Sequence, residues 1–220
     1  MTKNPPDNPL MLTPESVKDI HEEGGSILGS SRGLQNTNEI IDVLVSYGIN
    51  ILFTIGGDGT QKGAHEIADR IQERGLKISV VGIPKTIDND IEYVDKTFGF
   101  DTAVDIARSS IRSAHNEAIS AYNGVGMVKV MGRDSGFIAV NTSLANNDVN
   151  IVLIPEVEYP LENILKFLEK RFERKRHTVI VVAEGFGQNL FNNLCKDESG
   201  NAVFTDIGIY LKNKINNYFE

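Results

Sequence analysis

Two carboxylates two residues apart, directly after an apolar run, are the first group in this sequence that could do chemistry. Asp88 and Asp90 follow the apolar run at 78–83. In an extended backbone successive side chains alternate, so both carboxylates would project to the same side while Asn89 turns away. Together with Lys85, such a pair suits a metal and phosphate site. The same residues are also typical of a polar turn after a strand, so the segment alone leaves both interpretations open.

A glycine-rich segment forms the second possible site. Gly56-Gly57-Asp58-Gly59-Thr60 follows an apolar run at 49–55, and a helical stripe of apolar residues begins at Ala64. This order predicts a buried strand, a glycine turn and a helix. Glycines let backbone amides approach an anion, and the helix N-terminus adds a favourable dipole. Asp58 adds an oxygen ligand suited to magnesium.

Charged residues directly follow four of the predicted strands. They are Asp58, Asp88, Arg133 and Glu184. Ligands of open α/β sheets bind outside the carboxyl edge of the strands. Carboxylates for a metal ion or a base, combined with arginine and lysine, are the residues that phosphoryl transfer needs.

The elements that must position these residues alternate along the chain. The predicted strands are 49–55, 77–84, 125–130, 150–154 and 177–183. The predicted helices follow Asn36, follow a Thr102–Asp105 cap, start at Phe137, and cover 161–174 and 205–218. The alternation predicts an α/β fold of three layers, with mostly parallel sheets and helices on both faces. His65 and His115 fall inside helices without a metal-ligand companion at helical spacing, so they are interpreted as surface or packing residues.

Composition excludes several classes of partner. The net charge of −8 argues against general affinity for nucleic acid. The basic cluster at 166–177 coincides with a helical apolar stripe, so it is interpreted as the exposed face and end of a helix. The sequence contains no apolar run long enough to span a bilayer. One cysteine, Cys195, and a start without an apolar core predict a cytoplasmic protein.

Four segments together resemble the phosphofructokinase family in their order and separation. They are Gly56–Thr60, Pro84–Asp90, Met131–Arg133 and Ala183–Gly185, and the resemblance covers nearly the whole chain from Gly24 onward. The glycine–aspartate turn also resembles NAD and lipid kinases, whereas the Thr86–Asp90 segment distinguishes the phosphofructokinases. The resemblance implies two Rossmann-like lobes, both incomplete here. Residues 1–99 would be part of a nucleotide-binding lobe and residues 100–220 part of a fructose 6-phosphate-binding lobe.

The resemblance also implies a role for each matching residue. Asp88 would be the base that takes the proton of the sugar 1-hydroxyl, Arg133 would neutralise charge in the transition state, and Thr86 would hold the transferring group. Magnesium would be bound by Asp58 and Asp90. The residues implied to hold the nucleotide phosphates are Arg32, Gly33, Gly57, Asp58, Gly59, Thr60 and Lys85. The residues implied to bind the sugar substrate are Thr86, Asp88, Met131, Gly132, Arg133 and Glu184.

The implied reaction is the phosphorylation of fructose 6-phosphate by ATP to fructose 1,6-bisphosphate. Pyrophosphate-using members of the family share a lysine at the position of Lys85 but carry an aspartate at the position of Gly59. The combination of Gly59 with Lys85 resembles the plant and trypanosomatid ATP-using branch. Pyrophosphate therefore stays an alternative donor. The family pattern extends beyond both ends of this sequence, so a truncated, non-catalytic fragment that binds nucleotide or joins other subunits is a further alternative. A homo-oligomer, either a tetramer or a dimer, is expected from the family.

Overall fold

The computed structural model describes residues 9–28, 35–191 and 203–220. Contacts divide the chain into two units, residues 1–34 and residues 35–220. Within the first unit, the described residues form one short 3-10 helix, Ile20–Glu22. The second unit contains both sheets and all the elements described below. Arg32 and Gly33, two predicted phosphate-binding residues, lie outside the described residues.

The first sheet has three parallel strands. They are β1 (Ile51–Gly56), β2 (Ser79–Thr86) and β3 (Phe98–Gly99), in the order β1-β2-β3. Two helices, α1 (Thr37–Ser46) and α2 (Asp58–Glu73), bury a small apolar core with this sheet. Phe53 is 60% exposed, so β1, which the sequence predicts as buried, is covered on one face only by the described residues.

The second sheet is also parallel and is covered on both faces. Its strands are β4 (Gly124–Val130), β5 (Ile151–Leu153) and β6 (His177–Ala183), in the order β4-β6-β5. Four helices belong to this sheet: α3 (Phe100–Ser120), α4 (Phe137–Leu144), α5 (Leu161–Phe172) and α6 (Ile207–Phe219). A short 3-10 helix, Gln188–Leu190, follows β6.

The alternation of side chains along β6 explains the three layers. Val179 and Val181 are fully buried in a cluster with residues of α3 and α4. Ile180 and Val182 are buried in a second cluster with residues of α5 and α6. Because successive strand residues point to opposite faces, an apolar run without alternation requires helices on both sides. The predicted three-layer α/β fold with parallel sheets is confirmed.

Two helix starts differ from the sequence-based expectation. The Thr102–Asp105 cap is wrong: α3 begins at Phe100, because Gly99 in a left-handed conformation (φ 105°) turns the chain directly into the helix. The last helix begins at Ile207, where the side chain of Asp206 accepts hydrogen bonds from the backbone N–H groups of Gly208 and Ile209. No helix in the described ranges is long and apolar enough to cross a membrane.

Candidate active site

The carboxyl ends of the two sheets approach each other through the loops that follow β2 and β4. The Ser135 hydroxyl lies 3.1 Å from the backbone carbonyl oxygen of Asp88 and 2.9 Å from that of Gly132, so it can donate to either. Ile87, next to Asp88, packs against the core cluster of the second sheet. The residues that follow strands of separate sheets are therefore held in one region.

The turn after β1 is shorter than the sequence predicts. Helix α2 begins at Asp58, because the carbonyl oxygen of Gly57 already accepts hydrogen bonds from the backbone N–H groups of Thr60 (2.9 Å) and Gln61 (3.0 Å). A Cβ on Gly56 would collide with the Thr60 side chain, so only glycine allows this close start. Because Gly56 ends β1, the expected Gly56–Thr60 turn is confined to Gly57. The remaining three form a helix N-terminus, where unpaired backbone N–H groups favour anions.

The glycines of this segment have different surroundings. A Cβ on Gly57 would lie 3.4 Å from the Cβ of Thr86, whereas a Cβ on Gly59 would meet nothing within 4 Å. Gly57 therefore faces the end of β2, and Gly59 faces open space. The Gln61 side chain joins the two strands, since its Nε2 donates to the carbonyl oxygens of Gly56 and Ile83, each at 3.0 Å. No sequence pattern indicates this role of Gln61.

Charges of opposite sign lie on the first turn of α2. Lys62 Nζ is 2.7 Å from Asp58 Oδ2, and both side chains are more than half exposed. The hydrogen bond and the charge of Asp58 raise the pKa of Lys62, and the charge of Asp90 adds to this effect. The charges of Asp58 and Asp90 therefore both act on Lys62. Lys85, at the end of β2, is exposed.

The segment after β2 bends instead of continuing as a strand. Strand β2 ends at Thr86, and Asn89 has a left-handed φ of 56°. Asparagine tolerates this conformation, and the Asn89 Oδ1 accepts a hydrogen bond from the backbone N–H of Thr97 at 2.8 Å. The buried Thr97 hydroxyl donates to the Thr86 carbonyl oxygen at 2.7 Å. The extended backbone assumed for Asp88 to Asp90 is therefore wrong.

Asp88 is half-buried and incompletely bonded. Its backbone N–H donates to Thr86 Oγ1 (3.2 Å), and this hydroxyl lies 3.4 Å from Asp88 Oδ2. The other carboxylate oxygen, Oδ1, is buried without a hydrogen-bond partner among the residues that the structure describes. Burial raises the pKa of Asp88, and the charges of Asp90 and Glu184 raise it further. The bond from Thr86 and the charge of Arg133 oppose this rise. Asp90 and Asp88 are thus close enough to interact, as the sequence predicts, although the backbone differs.

The loops after β4 and β6 hold each other in place. The backbone N–H of Arg133 donates to Glu184 Oε1 at 3.0 Å, and that of Glu184 donates to the Val130 carbonyl oxygen at 2.9 Å. Arg133 is left-handed (φ 52°). A Cβ on Gly185 would collide with the Arg133 carbonyl oxygen, which explains the glycine after Glu184.

The side chains around Arg133 have separate environments. Its guanidinium carbon lies 5.4 Å from the centre of the Phe204 ring, a cation–π contact that sequence reasoning did not find. Met131 is 59% exposed, whereas Gly132 is buried with φ 136°. One carboxylate oxygen of Glu184 is therefore engaged by backbone, and Met131 is open to solvent.

Two of the predicted residues could bind a metal ion. In the described ranges, no group of three or more His, Cys, Asp or Glu side chains is suited to hold one. Magnesium commonly uses one or two carboxylates together with water and substrate phosphates. The exposed Asp58 and Asp90, with a helix N-terminus beside Asp58, fit that type of site.

Replacing Asp88 by Asn tests the electrostatic state of this carboxylate. Because the folded-state pKa is raised, ionised Asp88 destabilises the fold above the ordinary aspartate pKa. We therefore expect Asp88→Asn to raise the free energy of unfolding at pH 7, measured by urea denaturation. The gain should disappear as the pH falls below the ordinary value, where both forms are neutral. Asp134→Asn, at an exposed position, is the matched control. A destabilised Asp88→Asn variant at pH 7 would contradict the assignment.

Comparison with known proteins identifies relatives of this arrangement. The phosphofructokinase family model matches residues 4–218. An ATP-dependent 6-phosphofructokinase of Borreliella burgdorferi is 53% identical over 222 residues, covering 96% of this chain and 50% of the relative. One of Trypanosoma cruzi is 52% identical over 201 residues, covering 91% of this chain and 41% of the relative. The chain thus spans about half the length of the curated relatives it matches.

A solved structure supports the fold independently. The crystal structure of a pyrophosphate-dependent phosphofructokinase from Marinobacter aquaeolei superposes with a TM-score of 0.69 at 26% identity. The match covers 79% of this chain and 46% of that one. The family model, the relatives and the strand-end residues agree, and the chain belongs to the phosphofructokinase family.

Proposed function

We propose that this chain provides the phosphoryl-transfer site of an ATP-dependent 6-phosphofructokinase, which converts fructose 6-phosphate and ATP to fructose 1,6-bisphosphate and ADP in glycolysis. The observation that carries the proposal is the Asp88 carboxylate, whose buried Oδ1 has no hydrogen-bond partner in the described part of the chain. An unpaired buried carboxylate oxygen costs stability. It gains a partner when a substrate hydroxyl donates to it.

Asp88 acts as the general base in this proposal. Its carboxylate accepts the proton of the sugar 1-hydroxyl while that oxygen forms a bond to the γ-phosphorus. The bond between the γ-phosphorus and the bridging oxygen breaks, and ADP leaves. A raised pKa favours the base role, because it brings the proton affinity of the carboxylate closer to the working pH. Arg133 offsets the negative charge that develops on the transferring group, and Thr86 contacts that group.

The nucleotide phosphates lie at the start of α2 in this proposal. The helix N-terminus supplies backbone N–H groups at Gly57 and Gly59, with Thr60 next to them on the first turn, and Lys85 at the end of β2 supplies a positive charge. Arg32 and Gly33, which the family resemblance also implies for phosphate binding, lie outside the described residues. The sugar lies on the other side of Asp88, against Met131 and Gly132. The second carboxylate oxygen of Glu184 accepts hydrogen bonds from the sugar hydroxyls.

Asp58 and Asp90 hold magnesium in this proposal. The ion, when bound, neutralises charge on the phosphates. Binding of the ion requires the ion pair between Asp58 and Lys62 to break. This costs little free energy, because both side chains are largely exposed. Lys62 is then free to face the phosphates.

ATP is the donor that the site supports best. Gly59 faces open space, so no side chain at this position obstructs a nucleotide. The curated relatives of about 50% identity are named as ATP-dependent enzymes. The pyrophosphate-dependent protein of similar fold is only 26% identical.

The wider setting is part of the same proposal. The separate sheets support a division into a nucleotide-binding part within residues 1–99 and a sugar-binding part within residues 100–220. The protein is a cytoplasmic enzyme and forms a homo-oligomer, either a tetramer or a dimer, with fructose 6-phosphate and ATP as its small-molecule partners.

Turnover of the Asp88→Asn variant tests the base. The wild-type chain, given fructose 6-phosphate, ATP and magnesium, should form fructose 1,6-bisphosphate, measured by a coupled assay. Removing a general base should lower kcat by about 10²–10⁴-fold while leaving ATP binding within a few-fold. Asp134→Asn should keep full activity. A wild-type chain without product would contradict the reaction, and an active Asp88→Asn variant would contradict the base.

A glycine pair on α2 tests the donor. Gly59 and Gly63 lie one turn apart, and a Cβ at either meets nothing within 4 Å, so both tolerate a side chain. Gly59→Asp places a carboxylate beside the phosphate site and should weaken ATP binding at least tenfold by calorimetry, about 1.4 kcal/mol. Gly63→Asp should leave ATP affinity nearly unchanged. Equal effects of the two variants on ATP affinity would contradict the placement of the nucleotide at the first turn of α2.

A further inference from the structure

Three side chains distant in sequence meet at the amino end of the second sheet. His115 lies on α3, His177 is the first residue of β6, and Asp148 lies between α4 and β5. The two Nε2 atoms of the histidines are 3.3 Å apart. His115 Nδ1 lies 3.0 Å from Asp148 Oδ2. The His115 side chain is 17% exposed and that of Asp148 is 40% exposed, so the cluster is partly open to solvent.

The separation of the two rings matches that of two imidazoles bound to one zinc ion. Two imidazole nitrogens on one tetrahedral zinc ion, each at about 2.05 Å, are about 3.3 Å apart, with ring centres about 5.2 Å apart. Here the nitrogens are 3.3 Å apart and the ring centroids are 5.2 Å apart, at an interplanar angle of 44°. A linear N–H···N bond of the same length would separate the centroids by about 5.6 Å. The spacing of the two rings is therefore closer to that of two zinc ligands than to that of a linear hydrogen bond.

Asp148 prepares His115 as a ligand. When Nδ1–H of His115 donates to the carboxylate, the proton is fixed there and Nε2 keeps a free lone pair. A carboxylate behind a histidine is the usual outer partner of metal-bound imidazole. The backbone of His177 is fixed too, since its carbonyl oxygen accepts a hydrogen bond from Arg171 Nε at 2.9 Å.

We propose that His115 and His177 bind one zinc ion through their Nε2 atoms, with Asp148 orienting His115 and water completing the coordination. If Nε2 of His177 carries its proton before binding, that proton moves to Nδ1 of the same ring, so the neutral pair releases none. With two protein ligands, the site binds zinc more weakly than a four-ligand structural site. It links α3 directly to β6.

This zinc site is separate from the proposed magnesium site. His177 begins β6 and Ala183 ends it, so the two ends are about 20 Å apart at about 3.3 Å per residue. The nitrogen ligands suit zinc, whereas the carboxylates at the other end suit magnesium. Zinc here would stabilise the fold and not take part in phosphoryl transfer.

Calorimetric titration of the full chain with zinc chloride at pH 7.5, with excess magnesium present, tests the proposal. One equivalent should bind, and His115→Gln and His177→Gln should each weaken binding more than tenfold. Asp148→Asn should weaken it by about 10–100-fold. His65→Gln removes an exposed histidine on α2, and Cys195→Ser removes the cysteine. Both should leave the affinity unchanged.

A second measurement covers variants that fail to fold. In imidazole NMR spectra of the wild-type chain, zinc should shift the resonances of His115 and His177 and leave those of His21 and His65 in place. Unchanged resonances of His115 and His177, or affinity retained in His177→Gln, would overturn the proposal. An equal loss of affinity in His65→Gln would show adventitious surface binding.

Discussion

The contact between the loops after β2 and β4 is the interaction on which the candidate site depends. Ile87 anchors one loop in the core of the second sheet, and the Ser135 hydroxyl reaches the backbone of Asp88. Without this contact Asp58, which follows β1 of the first sheet, and Arg133, which follows β4 of the second sheet, would not be held in one region. The half-buried position of Asp88, next to this contact, raises its pKa.

Opposing electrostatic effects at Asp88 make it suitable for proton transfer. Burial and neighbouring carboxylates favour the protonated form, while Thr86 and Arg133 favour the charged form. Since burial is the largest effect, the carboxylate holds a proton more readily than an exposed one. The strand-end arrangement thus brings the proposed base, a helix N-terminus and the two proposed metal-binding carboxylates into one region.

Much of the fold follows from the sequence, because its signals are local. The apolar run at 177–183 predicted a strand, and the structure gives the same bounds, His177–Ala183. The predicted start of α3 was wrong, since a left-handed Gly99 stands in place of the expected side-chain cap. The bend at Asn89 was also missed, because it depends on Thr97, a partner eight residues away whose role no periodicity indicates.

Site contacts between distant residues were the least predictable. The site depends on tertiary contacts of Gln61, Thr97 and Phe204, and no spacing pattern in the sequence indicates them. His115 was interpreted as a residue without a ligand companion, yet its neighbour His177 lies 62 positions away. The roles of Asp88, Asp58 and Arg133 came from family resemblance, and their assignment to the reaction stays a prediction.

The most direct measurement of the central claim is an NMR titration of the Asp88 side-chain carboxyl carbon. We expect a pKa above the ordinary aspartate value of about 3.9, and a lower value after Asp90→Asn, because the charge of Asp90 contributes to the rise. A pKa at or below the ordinary value would show that Asp88 is solvated or paired, and would contradict its assignment as a buried, unpaired base.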